Sequence, residues 1–93
     1  MIKVKKDENI ITFTGHTEPR LCSCVSCIMY TTLYAIRRYD DSSFNYFDED
    51  DIVTIEILHD DDIIKLLIDN MFDMIKELIE EEEHNKSCIE IVR

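Results

Sequence analysis

The chain is poor in basic residues: ten Lys and Arg stand against 21 Asp and Glu in 93 residues, for a net charge of −11 and a pI near 4.5. That charge speaks strongly against nucleic-acid binding, because such a surface repels phosphates. Basic partners suit it better, a cationic peptide or a ribosomal protein among them, although charge alone is explained more simply by solubility. No apolar stretch approaches the length of a membrane span. None follows the lysines of Met1-Ile2-Lys3-Val4-Lys5-Lys6 either, so no secretory leader is expected and the expected compartment is the cytoplasm. There is no repeat and no linker, and the length predicts a single domain over residues 1–93. A core this small leaves little room for a large cofactor, and none is expected. Cysteine is sparse too, four in all, and Cys22, Cys24 and Cys27 crowd into one short stretch, a poor disulfide framework. Chemistry, metal binding or burial remain for them in a reducing compartment.

What is present is a clear pattern of elements. Residues 2–5 and 10–14 alternate apolar and polar around Asp7-Glu8-Asn9, which is turn chemistry, and predict a hairpin. From Cys22 the period becomes helical through Val25, Ile28, Met29, Thr32, Leu33 and Ile36, ending near Arg37-Arg38. Pro19 marks the loop that leads in. A second strand pair covers 44–47 and 52–58, with the acidic run 48–51 as its turn. One of Asp60, Asp61 and Asp62 caps a second helix, with Ile64, Leu67, Ile68, Met71, Ile75, Leu78 and Ile79 on its apolar stripe. That helix runs into Glu80–Glu83, a solvated charge run that should fray, and a short strand over 89–91 closes the chain. The order ββαββαβ predicts a two-layer α/β (α+β) fold, a mixed or antiparallel sheet with both helices on one face.

The only glycine, Gly15, immediately precedes His16, and Cys22 lies six positions later. A thiol in the first turn of a helix gains from the dipole and the free N–H groups there. The intervening residues span up to roughly 20 Å, enough to fold back and bring the imidazole to the thiol. His16 is then a candidate general base, and acid to a leaving amine. The N–H groups of Cys22, Ser23 and Cys24 are candidates to hold an oxyanion, and the Ser26 hydroxyl, one turn on, to orient the imidazole or a substrate. Gly15 permits a backbone conformation or close approach that a side chain forbids. A bland reading stands beside this one: helical cysteines are often small core residues, and a histidine near a turn is often structural. A zinc site is a further alternative, built from Cys22, Cys24 and Cys27 with Cys88 or His84. Positions 22 and 24 point well apart on a helix, which disfavours it. His59 and His84 carry no motif and are expected to be exposed.

The strand-Gly-His, the short loop and the Cys-x-x-Val-Ser helix start resemble the ribosomal-processing cysteine protease family (Prp). That family carries Gly-His-Ala at a strand end, a glycine-containing loop, and Asp-x-Val-Cys-Ala-Ala-Val-Ser. Gly15 and His16 match its Gly-His, and Cys22, Val25 and Ser26 match its Cys-x-x-Val-Ser. Thr17 stands in place of alanine, Ser23 and Cys24 replace two alanines, and the family's aspartate falls at Pro19. The loop over 17–21 is shorter and has no glycine. The resemblance implies a bacterial cysteine endopeptidase with Cys22 as nucleophile and His16 as base. It implies a homodimer whose substrate is the N-terminal extension of a basic large-subunit ribosomal protein, cut after a Phe-rich stretch. It implies no cofactor, no membrane and no direct nucleic-acid contact. The altered loop leaves a second reading, an inactive relative that serves as an acidic binding module for a basic protein.

Overall fold

In a computed structural model the structure describes residues 1–59 and 61–93. Five strands and two long helices follow in order: β1 (Ile2–Asp7), β2 (Ile10–Thr14), α1 (Pro19–Tyr39), β3 (Phe44–Glu49), β4 (Ile52–Ile57), α2 (Asp62–Glu81), a short 3-10 helix (Glu83–Ser87) and β5 (Ile89–Val92). The sheet order is β3-β4-β2-β1-β5. All pairings are antiparallel except β1 with β5, which is parallel. The sheet is therefore mixed.

Alternation along the strands sets the two faces. Ile2, Val4, Ile11, Phe13, Ile55 and Ile89 are buried on one side of the sheet. Lys3, Lys5, Thr12, Thr54 and Glu56 occupy the intervening positions. Val25, Met29, Leu33 and Ile36 of α1 join Ile64, Ile68, Met71 and Ile75 of α2 in the same apolar cluster. Both helices thus lie on the apolar face, packed against each other. Burying each such side chain contributes about 1.5–3 kcal/mol.

Several boundaries differ from the sequence reading. Helix α1 begins at Pro19, not Cys22, with proline in its first turn. Proline suits that place because its missing N–H would have no helical partner anyway and its φ is already helical. Strand β3 runs on through Asp48 and Glu49, so the β3–β4 turn is only Asp50-Asp51. Asp61 is the α2 cap, its carboxylate accepting from the Ile64 N–H at 2.8 Å; Asp60, also considered for that role, lies outside the described residues. Phe72, absent from the predicted stripe, is buried with the Arg93 guanidinium 4.4 Å from its ring centre. Leu67 and Ile79 are only partly buried.

The acidic run after α2 is not a simple solvated tail. Its later residues turn into the 3-10 helix, where Asn85 is fully buried and donates to the Leu78 carbonyl at 2.8 Å, satisfying an acceptor at the end of α2. Lys86 pairs with Glu83 at 3.0 Å, and Arg20 of α1 reaches Glu82 at 4.0 Å.

Candidate active site

The β2 strand ends at Thr14, paired with Ile52 of β4. The chain then turns sharply at Gly15, whose φ is +84°. A Cβ on Gly15 would collide with the Met1 carbonyl oxygen, so this position requires glycine on two counts. The Met1 amino group donates to the His16 carbonyl at 2.8 Å, fixing the backbone of the next residue. Only Thr17 and Glu18 remain before α1, so His16 and Cys22 are joined by a tight connection rather than a swinging loop.

Cys22 is half-buried. Its Sγ lies 3.3 Å from the Thr17 amide nitrogen and 3.3 Å from the Thr17 carbonyl oxygen. The amide can donate to the sulfur, and the thiol to the carbonyl. His16 is 72% exposed in its side chain, with Nε2 3.8 Å from Asp51 Oδ1. His16, Cys22 and Ser26 open onto one cleft of about 270 Å³, floored by Phe13, Val25 and Met29 and edged by Asp48 and Asp51. Gly15, at the β2 end, lines it as well.

Two expected parts of the site are placed elsewhere. The Cys22 N–H donates to the Glu18 carbonyl at 3.1 Å, an ordinary helical bond. It is therefore occupied, and with α1 starting at Pro19 the amides of Ser23 and Cys24 also fall beyond the uncapped first turn. The oxyanion role assigned to those three N–H groups does not fit this geometry. Ser23 is exposed, and Cys24 lies in a separate groove with Cys27, Ile28 and residues of α2. Cys22 thus faces one groove while Cys24 and Cys27 face another. Among the described residues no group of three His, Cys, Asp or Glu side chains is placed to hold a metal ion.

Sequence reasoning gave no role to Asp51, to the Thr17 backbone or to a thiol–imidazole contact between Cys88 and His84. Buried Cys88 has its Sγ 3.5 Å from His84 Nε2, and the same nitrogen lies 3.3 Å from Glu18 Oε2. His84, expected to be exposed, is so, but it ties the 3-10 helix to the residue that precedes α1. His59, likewise exposed, is 2.8 Å from Asp40, and its hydrogen bond is the main reason that carboxyl is held below its ordinary value. Tyr30, at the cleft, meets the Tyr46 hydroxyl at 3.2 Å, a bond that pushes the Tyr46 phenol well up.

The fold has known counterparts. An essential ribosomal processing protease, Prp, from S. aureus, solved with a covalently linked product peptide, superposes with a TM-score of 0.77 at 20% identity. That match covers 99% of this chain and 98% of the other. SMU.848 from Streptococcus mutans matches with a TM-score of 0.66 at 17% identity, over 98% and 91% of the two chains. No protein-family model matches the sequence, and no curated protein matches it. The chain therefore has the Prp fold, as its Gly-His and Cys-x-x-Val-Ser segments led us to expect.

Proposed function

We propose that the protein is a cysteine endopeptidase in which Cys22 is the nucleophile and His16 its base. The observation that carries this reading is that both side chains open onto one cleft, on the fold of a ribosomal processing protease. In the first step His16 takes the thiol proton and Sγ attacks the scissile carbonyl carbon. The tetrahedral intermediate then collapses as imidazolium protonates the departing amine, leaving a thioester on Cys22. Water, deprotonated by His16, attacks that thioester and releases the acid product and the thiol. In this reading the Ser26 hydroxyl, one helical turn from Cys22, orients the substrate; its lining of the same cleft supports that role.

The thiol and imidazole are not yet aligned for proton transfer. Cys22 is engaged by Thr17 and His16 is turned toward Asp51. Such contacts commonly tighten only when substrate fills the site.

The substrate we assign is the N-terminal extension of a basic large-subunit ribosomal protein, cut after a Phe-rich stretch. The net charge of −11, with Asp48 and Asp51 on the cleft edge, supports a cationic peptide. The protein named in the first structural match processes ribosomal material. No helix of the described chain is long and apolar enough to cross a membrane; we assign a cytoplasmic protein, bacterial like its structural counterparts, acting as a homodimer. The test is incubation with a synthetic extension peptide. Wild type should cleave it, and Cys22→Ser and His16→Ala should lose at least about a hundredfold in kcat/KM. Tight binding of that peptide without cleavage would instead identify an inactive, acidic binding module.

A further inference from the structure

We propose that Asp51 is the positioning residue of this site: its carboxylate holds the His16 imidazole through Nε2 and leaves Nδ1 as the nitrogen offered to the Cys22 thiol. The inference rests on the His16–Cys22 reading above and adds a third member to it.

The sheet register places the pair. Thr14 of β2 lies opposite Ile52 of β4. Because the strands are antiparallel, the chain leaving β2 toward His16 runs beside the chain entering β4 from Asp51. The entering chain is held by a two-residue turn in which Asp50 and Asp51 both have left-handed backbones, φ +53° and +62°. That is the hairpin turn whose twist matches its flanking strands, and its second position ordinarily favours glycine. An aspartate there accepts backbone strain that glycine avoids. What it adds is a carboxylate Oδ1 3.8 Å from Nε2 of His16.

The chemistry follows from the ring. A carboxylate at Nε2 favours the tautomer protonated on that nitrogen, so the lone pair sits on Nδ1 and is free to take a proton from the thiol. Once the proton has moved, the same carboxylate stabilises the imidazolium. Both groups are now largely exposed, 72% and 82% for the two side chains, so water weakens the pair. A peptide lying in the cleft excludes that water and strengthens it. The other charged or titratable groups lining the cleft are Asp48 of β3 and Cys22 and Tyr30 of α1, and outside it the Met1 amino group donates to the His16 carbonyl.

The decisive variant is Asp51→Gly, because it restores the preferred Asp-Gly turn while removing the carboxylate. A purely structural Asp51 predicts equal or higher Tm and unchanged turnover. A positioning Asp51 predicts equal or higher Tm with kcat lowered about tenfold or more and KM within about twofold. Asp51→Glu should recover part of the loss and Asp51→Asn should not, because its amide carries no charge and can donate to the ring; Asp50→Asn, which removes the neighbouring charge, should leave kcat unchanged. In addition, ¹⁵N NMR of the His16 ring should show the Nε2–H tautomer dominant in wild type and a mixture in Asp51→Gly; this readout needs no turnover. Unchanged kcat and tautomer in Asp51→Gly overturn the inference. So does a rise in KM alone, which would make Asp51 a substrate contact, and so does an equal loss in Asp50→Asn, which would make it a general charge effect. An active Cys22→Ser protein overturns the underlying reading instead, with Asp51 judged by the tautomer alone.

Discussion

The Cys22 thiol sits 3.3 Å from the amide nitrogen and the carbonyl oxygen of Thr17, so a sulfur that packs partly against the core also meets backbone immediately beside His16. A cysteine serving only as a small core residue turns its sulfur into apolar contacts, as Val25 and Met29 on the same helix turn their side chains into the core. Cys22 packs partly against that core yet is half-buried at a cleft edge, with the Thr17 N–H beside its sulfur.

The first prediction concerns which thiol reacts. Cys27 is the exposed one and Cys22 is only half-buried, so accessibility alone favours Cys27. A limiting amount of iodoacetamide near neutral pH should nonetheless modify Cys22 first, because Cys22 alone of these thiols shares a cleft with His16 as its proposed base. His16→Ala should slow Cys22 labelling and leave Cys27 unaffected. Peptide mapping by mass spectrometry reads both.

Gly15→Ala tests the corner between β2 and His16. The positive φ alone costs an L-residue about 1–2 kcal/mol, and the collision with the Met1 carbonyl adds to that. A lower Tm together with loss of cleavage is expected, whereas Thr14→Ser one residue earlier should retain both. Thermal melts and the peptide assay measure the contrast.

Core packing gives a third expectation. Ile75 is fully buried in α2, so Ile75→Ala should cost about 2–5 kcal/mol. Leu66 on the opposite face is 67% exposed, and Leu66→Ala should stay within about 0.5 kcal/mol. Urea unfolding with an unchanged m-value checks both.

Acid sensitivity should trace to two carboxylates. The Ile64 N–H and then the Tyr39 hydroxyl hold Asp61 below its ordinary 3.8, and His59 followed by Ser42 does the same for Asp40. A carboxylate depressed in the folded state contributes stability above its unfolded value, and that contribution is lost as pH falls through the folded value. Tm should therefore drop as pH falls from about 4 toward 2. Asp61→Asn keeps a capping oxygen without the titrating charge, so its Tm should fall less steeply over that range.

Much of this arrangement was legible in the chain because local signals and global packing agree. The alternation in β1, β2 and β4, and the helical stripes from Val25 to Ile36 and from Ile64 to Leu78, name their own core faces. Gly15-His16 and Cys22 could be paired because only one glycine and a short connection lie between two well-marked elements. The start of α1 at Pro19 is hard to read because Pro19 and Arg20 are exposed; buried Leu21, four residues before Val25, and the proline in the first turn are the available signals. Asp51 was hidden within an acidic run whose members look alike. Its proximity to His16 depends on the β2–β4 register, a long-range pairing that local sequence does not encode. The Cys88–His84–Glu18 cluster likewise depends on a long-range contact, with His84 and Glu18 66 residues apart.

The central claim is that Cys22, activated by His16, is the nucleophile toward a peptide carbonyl. The most direct measurement is intact-mass analysis after exposure to a short Phe-rich peptide bearing a C-terminal chloromethyl ketone, followed by peptide mapping. The account predicts one adduct, on Cys22, formed rapidly in wild type, at least about tenfold more slowly in His16→Ala, and absent in Cys22→Ser. Modification chiefly at Cys24 or Cys27, or a Cys22 rate indifferent to His16, would contradict it.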